Sequence, residues 1–360
     1  RKIMLVTGGS GYLAESLARY YSRSRIVILF SRTPYSQLRE SLQLQISQTN
    51  NIIYREGDVC SRQSLALLNE YLSLQNLKVD MIVHLAAKID DKLFLNIDTT
   101  DLTESINVKY VGAVNLVSVF SANHSPEFVF ASSASNLLGS QGQSVYGISN
   151  GLLSAFVSSI VKNGARAKCI MFGPYLDTRM TKDLVSKNQF YLKGIFSPFP
   201  LDNFGDHFEF ITRLPVHNLA HVDVNWTNAT NVFPKTKLIP QLSKKLYESN
   251  QTEGINTRDK VLIDNRLSHT DIREKLNLLV QTEISVFFNH MDVSTLDFST
   301  PLKNQGFDSL SILELTSTIE YRLDITIPAT LFTATTSLES IIDFIVNEYT
   351  NPDSKNFVID

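Results

Sequence analysis

KIMLVTGGSGYLA (residues 2–14) is the stretch on which the reading of the chain turns. Its first half is a short apolar run without polar alternation, which suits a strand buried on both faces of a parallel sheet. Its second half is a glycine-rich turn that runs into a segment of helical period, Leu13–Tyr21. In that turn Gly8 permits a tight bend, and Gly11 lets the backbone approach a pyrophosphate at a helix N-terminus. Ala14 stands where a third glycine is usual and is its smallest substitute. Thr7, Gly8, Gly9, Ser10, Gly11, Tyr12 and Leu13 are therefore the candidate phosphate-binding residues. On this stretch alone a purely steric use of the glycines stays open.

Working outward, further strand-sized runs appear at 25–32, 51–59, 79–87, 126–133 and 165–173, with helical segments near 63–74, 103–121 and 147–162. Such alternation predicts an α/β fold, a doubly wound parallel sheet covered on both faces. Residues 175–216, with Pro198, Pro200 and many aromatics, read as a lid or substrate-facing loop. HVDVNW (221–226) reads as the last strand. Periodicity fades around 249–259, which marks a linker. From Ser268 the period is helical again, and no strand signal remains. The expected boundaries are 1–228 for the first domain with its lid at 175–216, 229–267 for the linker, 268–350 for a small all-α domain and 351–360 for a tail.

The 360 residues are 43% hydrophobic and 19% charged, which excludes a disordered or fibrous chain. The longest apolar runs, such as IVILF (26–30), fall far short of the ~20 residues of a membrane span, so no membrane partner is expected. Cys60 and Cys169 are too few for a disulfide framework, and a reducing, cytoplasmic setting is the expectation. The absence of an initiator Met suggests a piece of something longer. Residues 268–350 hold 12 acidic and 4 basic side chains, while the net charge of the whole is −3, so a basic body is joined to an acidic module. That split suggests two parts that attract each other. No Lys/Arg cluster argues for a nucleic acid.

The second strand ends in Ser31-Arg32, where an enzyme using NAD would place an acidic residue; arginine suits a 2′-phosphate and favours NADPH. Asp58 and Val59 close the third strand and are candidate adenine contacts, with an ordinary capping role for Asp58 equally open. Ser133 lies just past the fifth strand, at the edge where open α/β sheets bind ligands. Tyr146 opens the following helix, and Asn150 is one turn further on the same face. A tyrosine with an ordinary pKa near ~10 needs a neighbouring cation to act as an acid at neutral pH. Lys109 is the candidate.

The set Lys109, Ser133, Tyr146 and Asn150 resembles the ketoreductase domains of type I polyketide synthases, within the Rossmann-type short-chain dehydrogenase/reductase superfamily. In those domains the lysine sits on the preceding helix and asparagine follows the tyrosine. The resemblance implies catalysis by these four residues. It also implies cofactor contacts from His84-Leu85-Ala86-Ala87, from Gly173-Pro174 and from Met180, with Ala87 and Arg179 standing where glycine is usual. Ile89-Asp90-Asp91 resembles the Leu-Asp-Asp motif of B-type members, and Leu138 stands where A-type members carry tryptophan, so a D-configured hydroxyl is implied.

PLKNQGFDSLSILEL (301–315) resembles the modification site of acyl carrier proteins, four-helix domains in which the serine carries 4′-phosphopantetheine. Ser309 would be that serine, installed by a phosphopantetheinyl transferase, with Asp308-Ser309 opening a helix whose positive end favours a phosphodiester. Glu314 and Glu320 would face basic catalytic domains. The implied function is NADPH-dependent reduction of a carrier-bound β-ketoacyl thioester, beside the other domains of a parent synthase that such families usually form as a homodimer. A fatty acid synthase pair, a silent reductase serving as scaffold and a cofactor-binding regulatory module are the competing expectations. No metal is expected.

Overall fold

Short runs of β-branched and large apolar side chains form the strands β1 (Lys2–Thr7), β2 (Arg25–Ser31), β3 (Ile52–Glu56), β4 (Met81–His84), β5 (Glu127–Ser133) and β6 (Ala167–Phe172). Three more follow: β7 (Phe196–Ser197), β8 (Asn218–His221) and β9 (Asp223–Val224). The computed structural model describes residues 2–89, 92, 96–121, 125–138, 143–178, 196–224, 268–287, 296–307, 312, 315–316, 319–320, 323, 325–328, 331 and 335–350. Seven strands make one sheet in the order β3-β2-β1-β4-β5-β6-β8, every neighbour parallel. Parallel neighbours need crossovers, so helices cover both faces, and the α/β doubly wound class expected from the sequence is the observed one.

The helices of this first unit are α1 (Tyr12–Tyr21), α2 (Glu40–Ser47), α3 (Arg62–Leu74), α4 (Thr99–Ile106), α5 (Gly112–Phe120), α6 (Ser135–Leu138), α7 (Ser144–Lys162) and α8 (Phe204–Arg213). Side chains of β1 alternate between two cores. Met4 and Val6 pack with α1, Leu42 of α2 and Phe204, Phe208 and Ile211 of α8. Ile3 and Leu5 pack with Leu65 and Leu68 of α3, Leu116 of α5 and Leu153 and Val157 of α7. Chain order runs outward in both directions from the β1–β4 pair, which is the switch point where such sheets open a crevice at their carboxyl ends.

Four features differ from the sequence reading. The helix expected over 103–121 is α4 and α5 joined by a π-helical turn, Asn107–Val111. α2 was not anticipated, because one buried residue, Leu42, gives it too weak a pattern. Part of the expected lid, 204–213, is a helix: Phe204, Phe208 and Ile211 fall on one face and dock on α1, a spacing that the flanking prolines and aromatics mask. The last strand of the main sheet is Asn218–His221 rather than 221–226. Its register is set by Asn218 against Cys169, and Asp223-Val224 instead pairs antiparallel with β7. Residues 225–226 and the stretch 179–195 of the expected lid lie outside the described residues. α7 is long and apolar enough by composition to cross a membrane, yet Val145, Leu153 and Val157 are buried in the unit.

The second unit holds the described residues from 268 onward, and its regular elements are helical: α9 (His269–Phe287), a 3-10 turn (Leu302–Gln305) and α10 (Leu338–Thr350). Ile272, Leu276, Val280 and Ile284 of α9 meet Leu302, Phe307, Ile319, Leu338, Ile341 and Ile345 in one core. The linker 229–267 and the tail 351–360 lie outside the described residues.

α8 is held by burial of its apolar face, and Phe208 is fully inaccessible, edge-on to Tyr21 at 6.2 Å. Phe208→Ala should cost about 3–5 kcal/mol. Urea unfolding measures this, and a loss well below that range would contradict the docking of α8 on α1.

Candidate functional site

The turn after β1 is shaped by glycines that no larger residue could replace. Gly8 has φ +72°, and a Cβ there would lie 2.8 Å from the Ala86 backbone nitrogen. A Cβ on Gly9 would lie 2.7 Å from the Phe30 nitrogen. The turn therefore nests against β2 and the segment after β4, with the Ala86 backbone under Gly8. Ala14 is fully buried, so the third small residue serves packing. Gly11 caps α1 in extended conformation without a side-chain cap hydrogen bond, at the positive end of the helix. A cradle of this shape fits a pyrophosphate.

At the end of β2 a cluster of hydroxyls forms beside this turn. Ser31 Oγ lies 3.1 Å from Ser10 Oγ and 3.0 Å from Tyr54 Oη, and Thr33 Oγ1 donates to Ser10 Oγ at 3.0 Å. Arg32 next to them is exposed. Arg39 steadies the turn from outside: it donates to the Ser10 carbonyl at 2.7 Å, pairs with Glu15 at 2.5 Å and lies over the Tyr12 ring at 3.9 Å. Thr33, Arg39 and Tyr54 were missed in the sequence. A tyrosine on a buried strand needs a partner for its hydroxyl, and that was the available signal. Asp58 closes a local turn, accepting from the Cys60 amide at 2.9 Å, while Ser61 is the N-cap of α3 and Val59 is buried against Gly112.

The second group of residues gathers where β5, the π-turn and α7 meet. Lys109 sits on the π-turn and is almost completely buried, its Nζ donating to the Ala131 carbonyl of β5 at 2.6 Å. Burial lowers its pKa to about 8, with the Cys169 thiol of β6 opposing the shift. Tyr146 and Asn150 are buried on consecutive turns of α7. The Asn150 amide donates to the Tyr146 carbonyl at 2.8 Å, and its Oδ1, sealed from solvent, has no partner among the described residues. Ser133 ends β5 half-buried and accepts from the Ser135 amide and hydroxyl at 3.2 and 3.0 Å. The short helix α6 after it is tied to α7 by Asn136, which donates to Ser154 at 3.1 Å. Thus the four residues singled out in the sequence lie on elements that pack together at the carboxyl edge of the sheet, beside the glycine turn.

Gly173 follows β6, its amide donating to the His221 carbonyl at 2.8 Å, and Pro174 bonds through its carbonyl to the Phe199 amide at 3.0 Å. An unanticipated aromatic group lies beyond this loop. The His221 ring stacks on Phe199 with centroids 4.5 Å apart, and Tyr175 Oη is 3.1 Å from His207 Nδ1. Burial, with His207 alongside, lowers the His221 pKa to about 4. Ile89 and Ala87 are exposed; Asp90, Asp91 and Met180, and the side chain of Leu138, lie outside the described residues.

In the second unit Ser309 and Asp308 also lie outside them. The turn that leads to Ser309 is described: Gly306 has φ +90°, the Phe307 amide returns to the Leu302 carbonyl at 3.1 Å, and the Phe307 ring is buried. Glu320 is not displayed as expected; its carboxylate accepts the Ile327 amide at 2.6 Å, and burial raises its pKa.

Residues 3–177 match the family model described as KR domain, and residues 280–345 match that described as phosphopantetheine attachment site. Among curated proteins, polyketide synthase GfsA of Streptomyces halstedii is 26% identical over 91% of this chain and 4% of its own length. Probable polyketide synthase 9/36 of Dictyostelium discoideum is 26% identical over 99% of this chain and 12% of its own. The chain thus spans a small part of these relatives. Among solved structures, an A1-type ketoreductase has a TM-score of 0.59 at 19% identity, covering 68% of this chain and 53% of that one. A ketoreductase domain from the bacillaene assembly line has a TM-score of 0.56 at 19% identity, covering 63% and 57%. These two show the fold.

Gly8→Ala sets a side chain against the Ala86 backbone at a φ that L-residues rarely adopt. Nucleotide affinity should fall by about 10-fold or more, measured by calorimetry. Affinity equal to the unsubstituted chain would remove the cradle assignment.

Proposed function

We propose, from the premise that the chain joins a KR domain to a phosphopantetheine attachment domain, that it reduces a β-ketoacyl thioester to a β-hydroxyacyl thioester with NADPH, within a type I polyketide synthase. The observation that carries this reading is Lys109: an ammonium buried on a π-turn against Ala131, on an element that packs against the helix of Tyr146. A lysine is rarely placed out of water without a task.

Thr7 to Leu13 hold the pyrophosphate, and Arg32 with the hydroxyls of Ser10, Ser31 and Thr33 holds the 2′-phosphate. Ala86, Ala87, Asp58 and Val59 border the adenosine half, and Gly173 and Pro174 the nicotinamide. When bound, the reduced nicotinamide supplies hydride to the β-carbon and leaves oxidised. The carbonyl π-electrons move to oxygen, which takes the Tyr146 phenolic proton; solvent later returns a proton to Tyr146. Lys109 stabilises the phenolate left behind, and Ser133 donates a hydrogen bond to the carbonyl oxygen as charge develops. Asn150 Oδ1, an acceptor without a partner among the described residues, suits a buried water that would pass the proton. Ser309 carries the substrate on its 4′-phosphopantetheine, so a tether in place of tight docking brings it to the cleft. Ile89, Asp90 and Asp91 are proposed to select the D-hydroxyl product.

The test is NADPH oxidation by the phosphopantetheinylated chain with a β-ketoacyl group loaded on it. Tyr146→Phe should lower kcat by about 10²–10⁴-fold, and Ser309→Ala should abolish the mass gain on treatment with a phosphopantetheinyl transferase. No turnover by the unsubstituted chain would leave the scaffold reading instead, and a D- or L-hydroxyl product decides the stereochemical part. Because the Lys109 pKa is lowered to about 8, its ammonium is lost as pH rises through that value. Reduction should therefore fall on the alkaline side of about pH 8, and a kcat profile flat well above it would remove Lys109 from the mechanism. Arg32→Ala should weaken NADPH by about 10-fold and leave NADH nearly unchanged.

A further inference from the structure

His84 ends β4 directly opposite Thr7, the last residue of β1, and is fully buried. Its ring joins two parts of the site. Nδ1 lies 2.7 Å from Thr7 Oγ1, and Nε2 lies 3.1 Å from the Val108 carbonyl and 3.1 Å from the Lys109 carbonyl. Carbonyls only accept, so the proton is on Nε2, Nδ1 is bare, and Thr7 Oγ1 donates to it. A single neutral tautomer satisfies every partner. Burial, together with the Lys109 ammonium, holds the ring's pKa down to about 3, so it stays neutral at ordinary pH and relays no charge. Close approach of the ring is possible because residue 112 is glycine: a Cβ there would lie 3.3 Å from His84 Cε1 and 3.1 Å from Val59 Cγ1.

The carbonyls that His84 holds belong to the π-turn, a wider coil that seldom persists without a reason. Reverting to α-helical register would rotate Lys109 by roughly 100° per residue of slip and swing its ammonium away from Ala131. We infer that His84 is the positioning residue for Lys109: one ring fixes the lysine's backbone and, through Thr7, ties it to the turn that cradles the nucleotide. The inference rests on the proposed roles of Lys109 and Tyr146. The titratable groups that act on the ammonium are His84 from β4 and Cys169 from β6, and the π-turn packs against α7, the helix that carries Tyr146.

The experiment compares His84→Phe, His84→Asn and Thr7→Val in the full chain. It follows the Lys109 ammonium by NMR titration, the pH profile of kcat with a soluble β-ketoacyl thioester, and thermal unfolding. His84→Phe keeps the volume and removes every hydrogen bond, so water should reach Lys109. Its titration midpoint should rise by about one pH unit, the alkaline limb of kcat should rise with it, and kcat should fall on the order of 10–100-fold with KM nearly unchanged. His84→Asn, which retains a donor, should recover part of the loss. Thr7→Val deletes one hydroxyl and should move the midpoint the same way by less. If His84→Phe does not fold, the Thr7→Val midpoint decides. Unmoved midpoints in the folded variants overturn the inference. An unsubstituted chain that fails to oxidise NADPH, with midpoints that do move, overturns the proposed reaction and leaves the positioning of Lys109 in place.

Discussion

An ammonium group sealed from water must be held in place by something, and in this chain the hold on Lys109 organises the first unit. Its head meets one carbonyl of β5, and its own carbonyl is gripped by His84 at the end of β4. Burial already moves its pKa to about 8, so its charged state at neutral pH is kept by a modest margin. A small loss of placement would leave a neutral amine, or an ammonium reaching for water. The π-turn, the glycine at 112 and the alanine carbonyl at 131 are best understood as fittings around that one group.

The crevice exists because the strand order reverses between β1 and β4. At that point the chain leaves the sheet in opposite directions, and the ends of two parallel strands stand side by side with nothing crossing between them. Thr7 and His84 are the facing residues at those two ends. The hydrogen bond between their side chains thus follows from register, and it brings the nucleotide turn and the lysine under one constraint. A slip of one residue in the β1–β4 pairing would leave the two side chains on opposite faces of the sheet and dissolve the link.

Much of this was legible in the sequence, and for a physical reason. In doubly wound sheets the residues that line the crevice sit at fixed offsets from strand ends, so Gly8, Gly11, Ser133, Tyr146 and Asn150 announce themselves by spacing. Lys109 was legible as the cation that Tyr146 needs, a choice that the resemblance to a family arrangement supported. What stayed hidden depends on encounters between distant segments. The hydroxyl cluster draws Ser10 from the turn after β1, Ser31 and Thr33 from the end of β2 and Tyr54 from the middle of β3, and no local pattern marks them as neighbours. α8 was obscured because its large buried side chains are two phenylalanines and an isoleucine in a proline- and aromatic-rich neighbourhood. The π-turn shifts the helical phase by roughly 100°, but the segment after it, Gly112–Phe120, is apolar nearly all round and does not show the shift.

Glu320 makes the same point from the other side. By position it resembles a display residue on an acidic face, yet its carboxylate folds back to hold the Ile327 amide, and burial makes it harder to ionise. A buried amide that lacks a partner costs about as much as an exposed ion pair gains, or more. The local demand therefore takes the side chain first, and a partner's basic surface has the remaining acids to work with. Charge counted along a sequence overstates what a surface presents wherever backbone groups compete for the same carboxylates. The acidic balance of the second unit is real, but which of its acids face outward is decided residue by residue, by the donors that lie within reach.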